Sequence, residues 1–222
     1  MRGLTPTDLP DLDALGVDEV IAHAGEQHGN GLVLLCSFQK EESVLVDAVA
    51  RLAPKTRIVT IDTGVLFPET LAAWKAFEDR FGVRVEVEDA SRAGNPWTGP
   101  ADCCGVEKVA ALERALAGAS AWVTGIRREQ SPTRADARKL EWDAKRGIPK
   151  YNPLADWTDK DLWRHIAERD LPYHELHDQG YASIGCAPCT LPGSGREGRW
   201  AGQDKTECGL HVESVSPGAE IG

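Results

Sequence analysis

The stretch Leu32-Val33-Leu34-Leu35-Cys36-Ser37-Phe38-Gln39-Lys40-Glu41-Glu42-Ser43 is a short apolar run that gives way to polar residues. Its apolar part, from Leu32 to Cys36, predicts a buried β-strand. An amphipathic helix is expected to follow from about Glu42 to Leu52, with Pro54 at its end. A strand that leads directly into a helix is the first half of a strand–helix–strand unit.

The same alternation recurs along the chain. Further strands are expected at residues 57–61, around 83–87 and at 121–124, and further helices at 68–81, 102–116 and 158–169. This order predicts an α/β fold with a mostly parallel twisted sheet and helices on both faces. We interpret residues 1–222 as a single domain with a helical lead-in at 1–30. Residues 205–222 are expected to form a mobile C-terminal segment that carries Cys208.

Composition limits the class of protein. The chain has 222 residues and a formal net charge of −10, which argues against general nucleic-acid binding. No apolar run is long enough to span a membrane, and the N-terminus lacks the apolar core of a secretion signal, so a cytoplasmic protein is expected. The segment from Arg127 to Lys150 contains eight basic and four acidic residues. This segment is either a basic patch for a small anionic ligand or an ordinary solvated face.

Three residues fall at the ends of predicted strands. They are Ser37, Asp62 and Gly125. Ligands of parallel α/β sheets bind beyond the carboxyl ends of the strands, so this placement predicts a nucleotide pocket. The sequence contains neither a glycine-rich dinucleotide fingerprint nor a Walker loop.

The cysteines point to a metal centre. Cys186 and Cys189 have the two-residue gap of a metal-binding pair, and Cys103 and Cys104 are adjacent. Neighbouring thiolates reach the separate iron atoms of an iron–sulfur cluster more easily than one small tetrahedral ion, although a structural zinc site and a redox dithiol remain alternatives. Cys208 lies outside both pairs, near a histidine and several cations, which suits a reactive thiol. Cys36 is interpreted as a small buried strand residue.

Several motifs together resemble one family. The chain is similar to the assimilatory adenylyl-sulfate reductases, which are relatives of the phosphoadenylyl-sulfate reductases and of the nucleotide α-hydrolase fold of ATP pyrophosphatases. The resemblance covers about residues 30–211. It is carried by Ile61-Asp62-Thr63-Gly64, Phe67-Pro68-Glu69-Thr70, Cys103-Cys104, Thr124-Gly125, Arg127-Arg128, Gln130-Ser131, Pro153-Leu154, Trp157-Thr158, Gly185-Cys186, Pro188-Cys189-Thr190, Arg196-Glu197-Gly198-Arg199-Trp200 and Glu207-Cys208-Gly209-Leu210-His211.

The resemblance implies roles for individual residues. A [4Fe–4S] cluster would be held by Cys103, Cys104, Cys186 and Cys189. Cys208 would be the nucleophile, and Lys108 would lie between cluster and substrate. The phosphosulfate group would be neutralised by Arg134, Arg196 and Arg199, with His211 nearby. The nucleotide would be framed by Ser37, Phe38, Gln39, Ile61, Asp62, Thr63, Gly64 and Gly125.

The implied activity is reduction of adenylyl sulfate to sulfite and AMP through an S-sulfocysteine on Cys208, in sulfate assimilation. Thioredoxin or a similar thiol would be the electron donor, with neither a nucleic acid nor a membrane as partner, and a homo-oligomer is allowed. The alternatives are a phosphoadenylyl-sulfate reductase, a nucleotide-binding protein with a structural zinc site, and an ATP-pyrophosphatase-type ligase. One departure is notable: Gln39 and Lys40 replace the small residues usual in the family's first loop. Lys40 is expected either to contact phosphate or to point to solvent.

Overall fold

The computed structural model of the chain describes residues 5–91 and 106–200. Strands and helices alternate through most of this length. The strands are β1 Leu32–Leu35, β2 Arg57–Asp62, β3 Val85–Asp89, β4 Ala121–Val123, β5 Leu140–Asp143 and β6 Ile148–Tyr151. The helices are α1 Val17–His28, α2 Lys40–Leu52, α3 Pro68–Phe81, α4 Val106–Ala115 and α5 Asp159–Arg169.

The six strands form one sheet in the order β3-β2-β1-β4-β6-β5. All neighbours are parallel except β5, which runs antiparallel to β6 at the edge. The chain builds outward from β1 in one direction through β2 and β3, and then returns to the other side of β1 with β4. The order therefore reverses between β1 and β4, and the carboxyl ends of these two strands are where a ligand crevice is expected.

Alternating side chains of the central strands pack on opposite faces of the sheet. Leu32 and Leu34 contribute to the apolar cluster that is covered by α1, α2, α3 and α5. Val33 and Trp122 contribute to a second cluster, which contains α4 and the two cysteines Cys186 and Cys189. Successive side chains of a strand point to opposite faces of the sheet. Because both faces are buried here, these strands are continuous apolar runs. The predicted parallel sheet with helices on both faces is thus confirmed.

Most predicted boundaries agree with the structure. Helix α5 begins at the predicted capping box, in which Thr158 Oγ1 accepts a hydrogen bond from Asp161 N at 3.2 Å. Two starting points differ by two residues. Helix α2 begins at Lys40 rather than Glu42, because the Glu42 carboxyl caps the helix from inside by accepting Gln39 N at 3.0 Å. Strand β3 begins at Val85 rather than Val83.

The basic segment is the main correction to the predicted fold. Residues 127–150 contain the hairpin of β5 and β6, which the sequence pattern does not predict. Most charged side chains of this segment form ion pairs with residues of opposite charge. Ion pairs join Lys139 to Asp156 at 2.8 Å and Arg146 to Asp143 at 2.7 Å. The segment is therefore no single anion-binding patch, and its basic residues that reach the site described below are Arg127 and Arg134.

No helix within residues 5–91 and 106–200 combines the length and the apolar character that crossing a membrane requires.

Candidate active site

A cavity of about 400 Å³ opens at the carboxyl ends of the central strands. Loops after β1 and β4, the end of β2, helix α4 and the segment 182–199 all contribute to its wall. Among the residues predicted from sequence, it brings together Ser37, Phe38, Gln39, Ile61, Lys108, Gly125, Arg134, Cys186, Arg196 and Arg199. The predictions for Cys103, Cys104, Cys208 and His211 lie outside the described residues.

Three predicted substrate contacts lie beside the cavity rather than in its wall. Asp62 Oδ1 accepts a hydrogen bond from Gly64 N at 2.8 Å, which closes a turn after β2. Thr63 Oγ1 lies 3.2 Å from Cys186 Sγ. The structure thus uses residues 62–64 to join the end of β2 to the Cys-X-X-Cys segment, and Asp62, Thr63 and Gly64 are absent from the described cavity lining.

The loop after β1 is anchored by Phe38. Its side chain is fully buried and stacks on Trp74 with ring centroids 5.5 Å apart. The backbone of Phe38 has a φ of 60°, which is uncommon for a bulky residue. Burial of the ring compensates this strain. Phe38 therefore fixes the path of the loop backbone along the cavity, and its ring is not positioned to contact a ligand.

Gln39 and Lys40 have specific partners in this loop. Gln39 Oε1 accepts a hydrogen bond from Ile184 N at 2.8 Å, which ties the loop to the segment that carries Cys186. The Lys40 ammonium lies 2.7 Å from Asp159 Oδ1 and its side chain is 5% exposed. Lys40 therefore does not point to solvent; it lines the cavity and is paired with a carboxylate there, and its contact with phosphate stays a prediction.

Two buried carboxyl groups in the first turn of α2 were missed by sequence reasoning. Glu41 Oε1 accepts hydrogen bonds from Arg127 Nε and from Gln130 Nε2, both at 3.0 Å. Glu42 Oε2 accepts one from Ser37 Oγ at 2.9 Å. Burial, with the nearby charge of Glu41, raises the pKa of Glu42 to about 8. Acidic residues are so common at helix N-termini that this pair gave no distinctive signal in the sequence.

Gly125 allows the loop after β4 to pack against these carboxyl groups. A Cβ at this position would come within 2.8 Å of Glu41 Cβ and of Glu42 Oε1. No side chain fits there without displacement of the first turn of α2, so a glycine is required by close approach rather than by backbone conformation.

An indole supports the two arginines on the opposite segment. The Arg196 and Arg199 guanidinium carbons lie 5.2 and 4.7 Å from the centre of the Trp200 ring, within the range of cation–π attraction. Arg199 Nη1 also donates to Ile184 O at 2.9 Å. Trp200 is 1% exposed and packs in the same apolar cluster as Cys186 and Cys189. The same ring thus contacts both the cationic wall and the cysteine pair.

The cysteine pair has the burial expected of metal ligands. Cys186 and Cys189 are 3% and 4% exposed, and a short helical turn over Ala187–Cys189 brings them to one side. Buried sulfur atoms with apolar neighbours and few competing ligands fit half of a four-thiolate site. The described residues contain no group of three or more histidine, cysteine or acidic side chains that could hold a metal ion. The other two predicted ligands, Cys103 and Cys104, lie outside the described residues.

Two further titratable groups near the cavity, His177 and Cys36, have surroundings that favour their neutral forms. His177 Nε2 accepts a hydrogen bond from Lys40 N at 3.3 Å, and its Nδ1 donates to Tyr181 O at 2.7 Å. Burial and the charge of Lys40 lower the pKa of His177, which preserves this tautomer. Burial raises the pKa of the Cys36 thiol well above its usual range. Cys36 is buried, as expected, and its environment makes it a poor nucleophile.

The parallel sheet, its switch point and the charged cavity there define an α/β protein of the doubly wound class, in which ligands bind at this crevice. Comparison with known proteins then gives the family. Residues 31–192 match the family model described as the phosphoadenosine phosphosulfate reductase domain, and the chain belongs to this family of reductases.

Two curated relatives match along nearly their whole length. An adenosine 5′-phosphosulfate reductase of Geobacillus kaustophilus is 40% identical, with 93% of this chain and 94% of the relative covered. A phosphoadenosine 5′-phosphosulfate reductase of Gloeobacter violaceus is 41% identical, with 95% and 96% covered.

Solved structures support the same fold. A phosphoadenylyl-sulfate reductase from Candida auris, in a phosphate complex, superposes with a TM-score of 0.70 and 25% identity over 81% of this chain and 92% of that one. An FMN adenylyltransferase from Candida glabrata superposes with a TM-score of 0.57 and 16% identity, over 81% and 68%. The second likeness is one of fold alone.

Proposed function

We propose that this chain reduces adenylyl sulfate to sulfite and AMP with electrons from thioredoxin or a similar dithiol, as a step of sulfate assimilation. The observation that carries the proposal is the cavity at the switch point of the sheet, whose wall contains Cys186 and four of the cations predicted from the sequence. The cations are Lys108, Arg134, Arg196 and Arg199. The adenosine 5′-phosphosulfate reductases at about 40% identity support the choice of substrate.

The chemistry begins at Cys208. Its thiolate attacks the sulfur of adenylyl sulfate, the S–O bond to the phosphate breaks, and AMP leaves with the bonding electrons. The cations of the cavity stabilise the charge on the departing phosphate. A thiol of the donor then attacks Cys208 Sγ, and sulfite leaves with the electron pair of the S–S bond. The donor's second thiol resolves the mixed disulfide, so two electrons pass from the dithiol to the sulfonate.

We further propose that Cys103, Cys104, Cys186 and Cys189 hold a [4Fe–4S] cluster. The burial of Cys186 and Cys189 in one apolar cluster supports the second half of this set. When bound, the cluster would supply a fixed local charge beside the cavity wall. Iron and acid-labile sulfide in equal amounts are expected in anaerobically purified protein, and stoichiometric zinc without sulfide would contradict the proposal.

Reduction of the 3′-phosphorylated substrate is the second candidate function. It is favoured by the Gloeobacter violaceus relative, which is named for that substrate. The pairing of Lys40 with Asp159 argues for adenylyl sulfate, because it compensates a cation that could otherwise bind an additional phosphate. The decisive experiment compares kcat/KM for sulfite release from the two substrates with thioredoxin as donor. A ratio in favour of adenylyl sulfate is expected, and equal values or the reverse preference would overturn the assignment.

A further inference from the structure

The carboxyl group of Glu42 occupies a position in the cavity wall that the proposed reaction does not explain. Its side chain is buried, with 4% of the residue exposed, and it lines the cavity at the first turn of α2. A carboxylate in a cavity for a multiply charged anion would oppose binding. The hydrogen bonds of Glu42 indicate whether this group opposes or favours anion binding.

The two oxygens of Glu42 have different surroundings. Both hydrogen bonds to Oε2 come from donors, namely Ser37 Oγ at 2.9 Å and Gln39 N at 3.0 Å. Oε2 is thus an acceptor whether or not the group is ionised. Oε1 lies beside Gly125, at the place that a Cβ would approach within 2.8 Å, and the Ser37 and Gln39 donors are both on Oε2. A proton on this carboxyl group would therefore reside on Oε1.

The neighbouring charges favour the neutral acid. Glu41, the adjacent residue, has its own cation and amide donors in Arg127 and Gln130, so it holds the negative charge of the pair. Lys40 is paired with Asp159. Where two buried carboxyl groups share one region and one of them has the cation, the other is the group that stays protonated.

We propose that Glu42 is a ligand-binding residue that acts as a neutral carboxylic acid and donates the hydrogen on Oε1 to a phosphate oxygen of the bound nucleotide. The choice of an adenosine phosphate as ligand rests on the proposed function. In this role the side chain favours an anionic oxygen, which explains how a glutamate can line an anion site. Its pKa of about 8 is consistent with the neutral form at pH 7.

Other ionisable groups face the same region and must be separated from Glu42. They are Cys36 before the loop, Glu41 and Lys40 on α2, Arg127, Glu129 and Arg134 after β4, Asp159 on α5, Lys108 on α4, Cys186, Arg196 and Arg199 on the late segment, and His177 beneath Lys40. The substitution Glu42→Gln isolates Glu42 from all of them, because the amide keeps an acceptor for Ser37 and Gln39 and a donor toward the cavity at every pH.

The test is calorimetric titration of the full chain with AMP at pH 7 and pH 9. The wild type should bind AMP about tenfold more weakly at pH 9, since only the protonated acid can donate. Glu42→Gln should bind within about threefold of the wild type at pH 7 and should lose the alkaline weakening. Glu19→Gln is the matched control, because Glu19 caps α1 in the same way, accepting Gly16 N at 2.7 Å, and is not part of the cavity wall.

Several results would overturn the inference. They are a wild type that binds AMP equally well at both pH values or not at all, an alkaline weakening that persists in Glu42→Gln, and a tenfold loss at pH 7 in that variant. Infrared difference spectra give an independent readout, since the wild type at pH 7 should contain a protonated carboxyl band that Glu42→Gln lacks. Sulfite release by the wild type tests the proposed function separately, so AMP titrations with the expected pH dependence and no sulfite would reject the reaction while the role of Glu42 stands.

Discussion

The ammonium group of Lys40 lies 2.7 Å from Asp159 Oδ1, and this pair joins the first turn of α2 to the first turn of α5 across the cavity wall. The Lys40 ammonium also lies 5.7 Å from the centre of the Trp163 ring. Because the Lys40 ammonium already interacts with a carboxylate and an aromatic ring, it attracts an additional anionic group of a ligand only weakly. The pair therefore bears directly on how many phosphate charges the cavity accepts.

Removal of this compensation should shift substrate preference. Asp159→Asn is expected to raise kcat/KM for the 3′-phosphorylated substrate relative to adenylyl sulfate by about tenfold, because Lys40 gains an uncompensated charge. Asp156→Asn is the control, since Asp156 pairs with the buried Lys139 at 2.8 Å outside the cavity wall. An unchanged ratio in Asp159→Asn would contradict this interpretation of the Lys40 pair.

A methyl group at position 125 should disturb the cavity. Gly125→Ala places a Cβ within 2.8 Å of Glu41 Cβ and Glu42 Oε1, and overpacking of this kind costs about 1–3 kcal/mol. We expect a lower midpoint of thermal unfolding and at least about tenfold weaker AMP binding by calorimetry. Gly16→Ala is the control, since its Cβ would meet Glu19 Oε2 at an ordinary 3.4 Å. Equal AMP affinity in both variants would argue against the close packing at Gly125.

The Trp200 ring should contribute to substrate affinity both through cation–π attraction and through packing. Trp200→Leu is expected to raise KM for adenylyl sulfate about fivefold more than Trp200→Phe, because phenylalanine keeps an aromatic face for Arg196 and Arg199. Trp122 offers a matched pair of controls, since its ring faces Arg146 at 5.3 Å and lies outside the cavity wall. If the Leu and Phe variants at position 200 have equal KM values, the ring acts by packing alone.

The buried His174 should make the fold sensitive to acid. Its Nε2 lies 2.9 Å from Thr70 Oγ1, and burial lowers its pKa to about 4. The unfolded chain takes up this proton near pH 6.5 and the folded chain only near pH 4, so stability falls as pH decreases through that window. The loss amounts to up to about 3 kcal/mol at pH 4.

Urea unfolding of the wild type and His174→Asn at pH 7 and pH 4.5 measures this contribution. The asparagine oxygen can still accept Leu176 N, which the imidazole accepts at 3.3 Å. The variant should be less stable at pH 7, and the difference from the wild type should shrink at pH 4.5. A difference that is the same at both pH values would show that His174 does not carry the acid sensitivity.

The nucleophile can be tested without turnover. Wild-type enzyme mixed with adenylyl sulfate in the absence of thioredoxin should gain one sulfonate group on the peptide that contains Cys208, as measured by mass spectrometry. Cys208→Ser should abolish sulfite release while AMP binding, iron and sulfide are retained. Cys36→Ser is the control and should keep activity, because the Cys36 thiol has a raised pKa. A sulfonate found on Cys36 would contradict the mechanism.

Local patterns in the sequence were sufficient for the four strands β1 to β4 and for most helices. Leu32 to Leu35 and Arg57 to Ile61 form strands as expected, and Thr158 with Asp161 correctly indicates the start of α5. These features depend on side-chain period and on capping, which act over a few residues.

The hairpin of β5 and β6 gave no such signal. Each strand has only four residues, and Pro149 lies in β6, where a proline argues against a strand. A short edge hairpin with paired charges looks like a solvated basic loop until the partners of Lys139 and Arg146 are known. The role of Gln39 was likewise not predictable, because its amide oxygen accepts a hydrogen bond from Ile184 N, which is distant in the sequence. Long-range pairs of this kind leave no periodic trace in the sequence.

The contacts of Cys186 have a consequence for how the protein is made. Leu66 pairs with Cys186 in an isolated bridge, and Ala187 N donates to Val65 O at 2.9 Å. During synthesis the turn after β2 leaves the ribosome long before the cysteines that pack on it. The sheet can therefore begin to form while Cys186 and Cys189 are still unmade, because contacts of high sequence separation close last. Any metal that these two thiols carry is acquired only after all six strands of the sheet have been made, and a chain truncated before residue 186 would lack both thiols.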